Sequence, residues 1–190
     1  MKIILGSASK GRREVLERMG YDFEIMTAGI DEKAIRDTDP KKLTLRLAHA
    51  KADALLSKIF EPALLITSDQ VVYWNGNIHE KPESPERARE NLKNYVAHPV
   101  ETVTAVVVTN TLTKQRLEGI DVAKVVFSPI PDDVIQKTID EGDVFTRAGG
   151  FNIEDPLLQG FIQKIEGEKE SIIGLPKTLT EALLQKASNV

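Results

Sequence analysis

Lys2-Ile3-Ile4-Leu5-Gly6-Ser7-Ala8-Ser9-Lys10-Gly11-Arg12-Arg13, residues 2–13, opens with an apolar run that reads as a buried first strand. A tight stretch of small and hydroxyl residues follows. It leads into Glu14-Val15-Leu16-Glu17-Arg18-Met19, whose apolar side chains recur at helical spacing. Strand, loop and helix start, in that order, make the first unit of an α/β fold. They also make a natural anion site, because free backbone N–H groups and the positive end of the helix dipole converge on the loop. Ser7 and Ser9 add hydroxyl donors, and Arg12 and Arg13 add charge and forked donors suited to phosphate oxygens. Gly6-x4-Gly11 half matches a P-loop, but Arg12-Arg13 stand where its Lys-Ser/Thr pair belongs, which disfavours a Walker-type ATPase. A strand–loop–helix with a serine cap and two solvated arginines fits the same residues, so this stretch alone leaves both readings open.

The bulk properties narrow the class. A chain of 190 residues can bury a good core as a single domain, and its 41% hydrophobic and 28% charged residues are ordinary for a soluble globular protein. A net charge of -4 argues against broad binding to nucleic-acid polymers or anionic membranes, so a bound nucleotide should be small and gripped locally. With no cysteine, disulfides and thiolate metal sites are excluded and a reducing compartment is compatible. The amino terminus turns polar too soon for a signal peptide, and no apolar run approaches the roughly 20 residues of a membrane helix. A cytoplasmic location is the expectation.

Outward from the first unit, residues 21–27 predict a second strand, and Ala28-Gly29-Ile30-Asp31-Glu32-Lys33 a loop with two adjacent acids. Asp39-Pro40 starts a helix in the expected cap order, running to about residue 60 with Leu43, Leu47, Leu55 and Ile59 at every fourth position or a multiple of it. Lys51 falls on that stripe, where patterning wants an apolar residue. It reads either as a snorkelling lysine or as one aimed into a cleft towards an anion. Residues 63–67 predict a strand buried on both faces, with Ser68-Asp69-Gln70 just past its end and strand character resuming at 71–74. An acid between two apolar runs is costly unless paired or bound to metal, which marks Asp69 as functional. Asn75-Gly76 signals a hairpin. A helix over 85–95, a long hairpin from 102–110 and 116–127, a helix over 131–140, a glycine-bearing loop at 148–156, a short strand at 161–165 and a closing helix after Pro176 complete an α/β chain with a mixed sheet.

Ser7 and Asp69 are both predicted beyond the carboxyl ends of buried strands, where open α/β sheets place their ligand crevice, and Glu32 follows a third strand. Two carboxylates suit Mg²⁺ or Mn²⁺; Lys51, Lys81 and the two arginines, with a helix start, suit a polyphosphate. That combination points to metal-assisted hydrolysis of a phosphoanhydride. His49, His79 and His98 show no metal-ligand spacing and read as core or surface residues, and no Gly-x-Ser-x-Gly elbow supports acyl transfer.

At these residues the chain resembles the Maf family of nucleoside triphosphate pyrophosphatases, structural relatives of the inosine-triphosphate pyrophosphatases. The matching pieces are Ser7-Ala8-Ser9 with Arg12-Arg13, Ile30-Asp31-Glu32, Leu47-Ala48 with Lys51-Ala52, Ser68-Asp69-Gln70-Val71-Val72, Lys81-Pro82, Ala148-Gly149-Gly150-Phe151, Ile165-Glu166-Gly167 and Gly174-Leu175-Pro176. The resemblance implies a curved mixed sheet flanked by helices, two lobes around a nucleotide cleft, one domain over 1–190, and often a homodimer. It implies cleavage between the α- and β-phosphates with a divalent cation, giving a monophosphate and pyrophosphate. By position, Asp69 is the residue that accepts a proton from the attacking water and Glu32 helps hold the metal. Ser7, Ser9, Arg12, Arg13, Lys51 and Lys81 bind the triphosphate and offset charge on the leaving pyrophosphate.

Three positions bear on the base. Gly11 stands where bacterial branches carry Arg or Trp, after Lys10 in place of the usual Pro. Gln70 and Glu154 stand where the thymidine/uridine branch has Thr and Gln, and look like the branch acting on 7-methyl-GTP. A carboxylate accepts hydrogen bonds from a guanine's N–H edge, and a positively charged methylated base favours it further. The rival expectations are a pyrophosphatase of the dTTP/UTP branch and a non-catalytic nucleotide-binding regulator, since the family has been linked to cell-division arrest. Retention of both Glu32 and Asp69 counts against binding alone, which carboxylates hinder.

Overall fold

A computed structural model describes residues 1–189. In chain order its elements are β1 (Lys2–Leu5), α1 (Lys10–Arg18), β2 (Phe23–Ile25), α2 (Pro40–Leu56), β3 (Ala63–Trp74), β4 (Asn77–His79), α3 (Pro85–Asn94), β5 (Val100–Asn110), β6 (Arg116–Phe127), α4 (Asp132–Glu141), α5 (Pro156–Gln159), β7 (Ile162–Glu166), α6 (Lys169–Ile173) and α7 (Lys177–Ser188). The strands form one seven-stranded sheet in the order β2-β1-β3-β5-β6-β7, with β4 paired to β3. β1 runs parallel to β2 and β3, while β4 and β7 run antiparallel to their neighbours, so the sheet is mixed as expected. Among the described residues no helix is long and apolar enough to cross a membrane. The chain divides into two compact units: Met1–Gln70, Thr104–Asp121 and the segment from Ile173 onward form the first, and Val71–Val103 with Val122–Ile172 the second.

In the first unit the period-two alternation of the strands sorts the core into layers. Ile3, Leu5, Leu64, Ile66, Val106 and Val108 pack on one face with Val15 and Leu16 of α1 and Leu183, Leu184 and Ala187 of α7. Ile4, Ala63 and Leu65 pack on the other face with Ala52 and Leu55 of α2. Burial on both faces explains why these strands read as continuous apolar runs. Asp39 caps α2 by accepting from the Lys41 and Lys42 N–H groups, with Pro40 in the first turn. The helix ends at Leu56, short of the expected residue 60, and Ile59 lies beyond it, partly buried.

β3 departs most from the sequence reading. It continues through Ser68, Asp69 and Gln70 without a break, so Asp69 lies within the strand rather than past its end. Three of the polar side chains are met where they fall: Thr67 Oγ1 donates to the Ala48 carbonyl at 2.9 Å, Lys51 donates to Asp69, and Gln70 donates to Thr104, while the buried Ser68 hydroxyl has no protein partner among the described residues. Local polarity suggested a loop; partners distant in sequence keep the backbone extended.

In the second unit Asn75 (φ 46°) and Gly76 (φ 80°) form the primed turn that hairpin twist requires. The glycine-bearing loop is clamped at Gly149. Its N–H donates to the Glu80 carbonyl at 3.0 Å, and its carbonyl accepts from the Tyr95 hydroxyl at 2.8 Å and Asn91 Nδ2 at 3.4 Å. Gly149 sits at φ +70°, and a β-carbon there would stand 2.7 Å from Val72 Cγ2 and 3.0 Å from the Tyr95 hydroxyl. Left-handed strain and overpacking combine, so Gly149→Ala should cost about 2–4 kcal/mol in denaturant unfolding. An unchanged midpoint would show that the clamp does not hold.

α5 begins at Asp155-Pro156, the same cap and first-turn pair that starts α2, at the end of the stretch 148–156 that the glycines predict as loop. α6 takes up Ile172 and Ile173, which that reading placed ahead of the closing helix.

His79 is buried beside Trp74 and Tyr95, its Nδ1 3.1 Å from Asn91 Oδ1. Burial pushes its proton affinity below the ordinary value, with Arg87 acting the same way and Asn91 and Glu90 opposing. The folded state therefore prefers neutral His79. Its contribution is fully present above the unfolded-chain value of about 6.5 and is lost as pH falls below it. The unfolding midpoint should drop between about pH 6.5 and 5, and His79→Gln should flatten that slope. An identical slope in the variant would assign the dependence elsewhere.

Candidate functional site

The first unit places the opening loop, α2 and the middle of β3 around one cluster of charge. Ser9 caps α1, its Oγ accepting the Arg12 N–H at 3.4 Å, so the helix begins at Lys10, four residues before the apolar repeat suggested. Ser7 Oγ accepts from the Ser9 N–H and from Arg12 Nη1, both at 3.2 Å. The first turn carries no acid, so its positive end is left for an anion.

Arg12 ties three stretches together. Nε donates to the Gly174 carbonyl at 3.0 Å, and Nη1 donates to the Ser68 carbonyl at 2.9 Å and to Ser7. Burial lowers its proton affinity, and the Asp69 and Glu32 carboxylates oppose that effect. Arg13, by contrast, is exposed and lies 3.7 Å from Glu17 on its own helix. Gly11 is buried in the first turn of α1.

Lys51 neither snorkels nor faces empty space. Its side chain is buried, and Nζ stands 2.6 Å from Asp69 Oδ1 and 3.2 Å from Glu32 Oε1. Glu32 reaches it from an exposed 3-10 turn, Glu32–Ala34, capped by Asp31. Burial pushes the proton affinity of Asp69 up, while the Lys51 and Arg12 cations pull it down and Glu32 adds to the rise. A carboxylate held above its usual range is a better proton acceptor than a solvated one.

The two carboxylates suit a divalent cation. Lys51 already draws both towards one positive centre, and carboxylate oxygens are the hard donors that Mg²⁺ and Mn²⁺ prefer. Among the described residues no group of three or more His, Cys, Asp or Glu could hold a metal alone. Two protein carboxylates, with phosphate and water oxygens for the rest, are the usual arrangement for Mg²⁺.

Gln70 directs Nε2 to the Thr104 hydroxyl at 2.8 Å. Lys81 and Glu154 belong to the second unit, where both are exposed. Lys81 follows Glu80, whose carbonyl holds Gly149, and Glu154 donates its N–H to Asn152 Oδ1 at 3.0 Å just ahead of α5. Of the histidines, His49 lies 2.6 Å from Glu118 and 3.2 Å from Arg116, His79 is in the core, and His98 offers its carbonyl to Trp74. Thr104 is not among the residues that the sequence nominates, and Gly174 enters there only within a matching motif. A signal existed for Thr104, a hydroxyl inside the apolar run 103–108, the same break in patterning that exposed Lys51.

The chain is similar to several known proteins over most of its length. A protein of Dictyostelium discoideum named 7-methyl-GTP pyrophosphatase is 48% identical over 98% of this chain and 97% of its own length. One of the same name from Idiomarina loihiensis is 33% identical, covering 93% of this chain and 89% of that protein. A dTTP/UTP pyrophosphatase of Pyrococcus furiosus is 34% identical, covering 92% and 90%. Among solved structures, a HAM1 protein from Coxiella burnetii aligns at 16% identity over 67% of this chain and 73% of that one, with a TM-score of 0.43, too distant to bear on the site. The profile of the family described as Maf-like protein matches residues 2–187. The chain belongs to the Maf family.

Proposed function

We propose that this protein is a nucleoside triphosphate pyrophosphatase that hydrolyses the α–β phosphoanhydride of an aberrant or modified nucleotide, with 7-methyl-GTP favoured. The observation that carries the reading is the buried Lys51–Asp69 pair at 2.6 Å, with Glu32 on the same ammonium and the Arg12–Ser7 loop packed against the neighbouring strand. A buried aspartate with raised proton affinity accepts a proton from water. Lys51 keeps that carboxylate oriented, and its charge, with that of Arg12 and the start of α1, offsets the negative charge that builds on the leaving pyrophosphate. Ser7 and Ser9 set the loop, and Arg13 adds a solvent-side cation. A divalent cation, Mg²⁺ or Mn²⁺, held by Glu32 and Asp69 would neutralise phosphate charge when bound. The roles that the resemblance gives Lys81, a cation for the phosphates, and Glu154, an acceptor for the base, remain part of this reading.

The choice of base rests on Gln70 and Glu154 and on the 48% identical relative's name. The test is a panel of nucleoside triphosphates with Mg²⁺ or Mn²⁺, scored for pyrophosphate. Release should be fastest with 7-methyl-GTP. Preference for dTTP and UTP would move the protein to the other branch, and tight binding without turnover would favour a regulator.

A further inference from the structure

Thr104 is a fully buried hydroxyl in β5, flanked by Val103, Ala105 and Val106. Nothing in packing asks for a polar atom there, and a buried hydroxyl must be met. It is met by Gln70, whose Nε2–H donates to Oγ1 at 2.8 Å. The other end of the same amide faces a different corner: a β-carbon at Gly174 would stand 3.6 Å from Gln70 Oε1, 3.6 Å from Arg12 Cγ and 3.7 Å from Arg12 Nε. The Gln70 carbonyl oxygen is therefore turned towards the corner that Arg12 and Gly174 define, and its amino group towards Thr104.

The orientation decides what Gln70 can read. A glutamine amide has chemically opposite ends, so a flip exchanges an acceptor for two donors. A carbonyl is the end that suits the neighbourhood of the Arg12 cation, which attracts an oxygen and repels an N–H. The Thr104 hydroxyl takes the end left over and stops the side chain from swinging. We propose that Thr104 is a specificity-positioning residue, which acts through Gln70 to present a carbonyl acceptor to the nucleobase. This rests on the nucleotide reading above. An acceptor so placed favours a base edge with a ring N–H beside an exocyclic amino group, the donor edge of guanine, and the positive charge of a 7-methylated ring favours it further. Uracil offers a single ring N–H flanked by two carbonyls, which repel the same oxygen. A carbonyl oxygen has two lone pairs, so its reading of a base does not require it to lack other partners.

The test measures binding, so that turnover does not enter. Dissociation constants for the α,β-methylene analogues of 7-methyl-GTP and UTP are measured with Mg²⁺ for wild type, Thr104→Val and Thr104→Ser. The triphosphate is common to both ligands, so the ratio isolates the base. In Thr104→Val the preference for the 7-methylguanine analogue should fall about tenfold, with the UTP analogue bound within about twofold of wild type. Thr104→Ser, which keeps the hydroxyl, should restore the preference. An unchanged ratio, equal weakening of both analogues, or a serine variant that falls as far as valine would each overturn the assignment. Thr104→Ala adds no bulk and replaces the valine variant if that one does not fold. Pyrophosphate release by wild type is read in parallel. Its absence beside a shifted ratio removes the catalytic reading and keeps this one; release beside a flat ratio does the reverse.

Discussion

Asp69→Asn should lose about 10³-fold in kcat while folding as wild type does, because it removes the proton acceptor and keeps the shape. Asn retains an oxygen that can accept from Lys51 Nζ, now 2.6 Å from Asp69 Oδ1, and it relieves the burial of a charge. The unfolding free energy should therefore stay within about 0.5–1.5 kcal/mol of wild type, the range of one hydrogen bond. Nucleotide binding should stay within about tenfold of wild type, since the carboxylate that goes both repels a triphosphate and helps hold its cation. Loss of kcat with binding intact is the signature of an interaction made in the transition state. Turnover near the wild-type rate would remove Asp69 from the chemistry.

Lys51→Met should have the largest effect on stability of any substitution near the site. Methionine fits a position on the buried stripe of α2 between Leu47 and Leu55. It leaves Asp69, 6% exposed, with one cation fewer, and orphaning one member of a buried pair costs about 3–5 kcal/mol. For a chain of this length that lowers the melting midpoint by roughly 10 °C. The double variant Lys51→Met with Asp69→Asn should recover most of the loss, since the amide needs no counter-charge. Glu32, exposed at the far side of the ammonium, should matter less, because solvent screens it. A Lys51→Met protein as stable as wild type, or a double variant no better than the single, would show that the pair is not coupled in the fold.

The local signals in this chain were legible from sequence where the physics is local. Ser9 capping α1 and Asp39-Pro40 opening α2 are short-range hydrogen bonds that residue order announces. Lys51 stood out because a charge on an apolar stripe breaks a period, and the structure gives that break a partner. Asp69 reads as an acid in need of a partner, and Lys51 supplies one, but its place inside β3 is not legible, since Thr67, Asp69 and Gln70 are satisfied by residues from α2 and β5. Arg12 is the clearest case of what residue order hides: its Nε meets a carbonyl 162 positions away. Thr104 was missed for the same reason, as its meaning depends on which strand lies beside β3. The Asp155-Pro156 start of α5 is a local signal of the same kind, masked by the glycines ahead of it, which point to an open loop.

Hydrolysis at the α–β phosphoanhydride by the Asp69 site has a direct signature in its phosphorus products. ³¹P NMR of wild-type protein turning over 7-methyl-GTP with Mg²⁺, beside Asp69→Asn, tests it most directly. Pyrophosphate and 7-methyl-GMP should grow in equal amounts with wild type, and the triphosphate spectrum should stay unchanged with the variant over the same time. Orthophosphate with a nucleoside diphosphate, or equal product from both proteins, would contradict it.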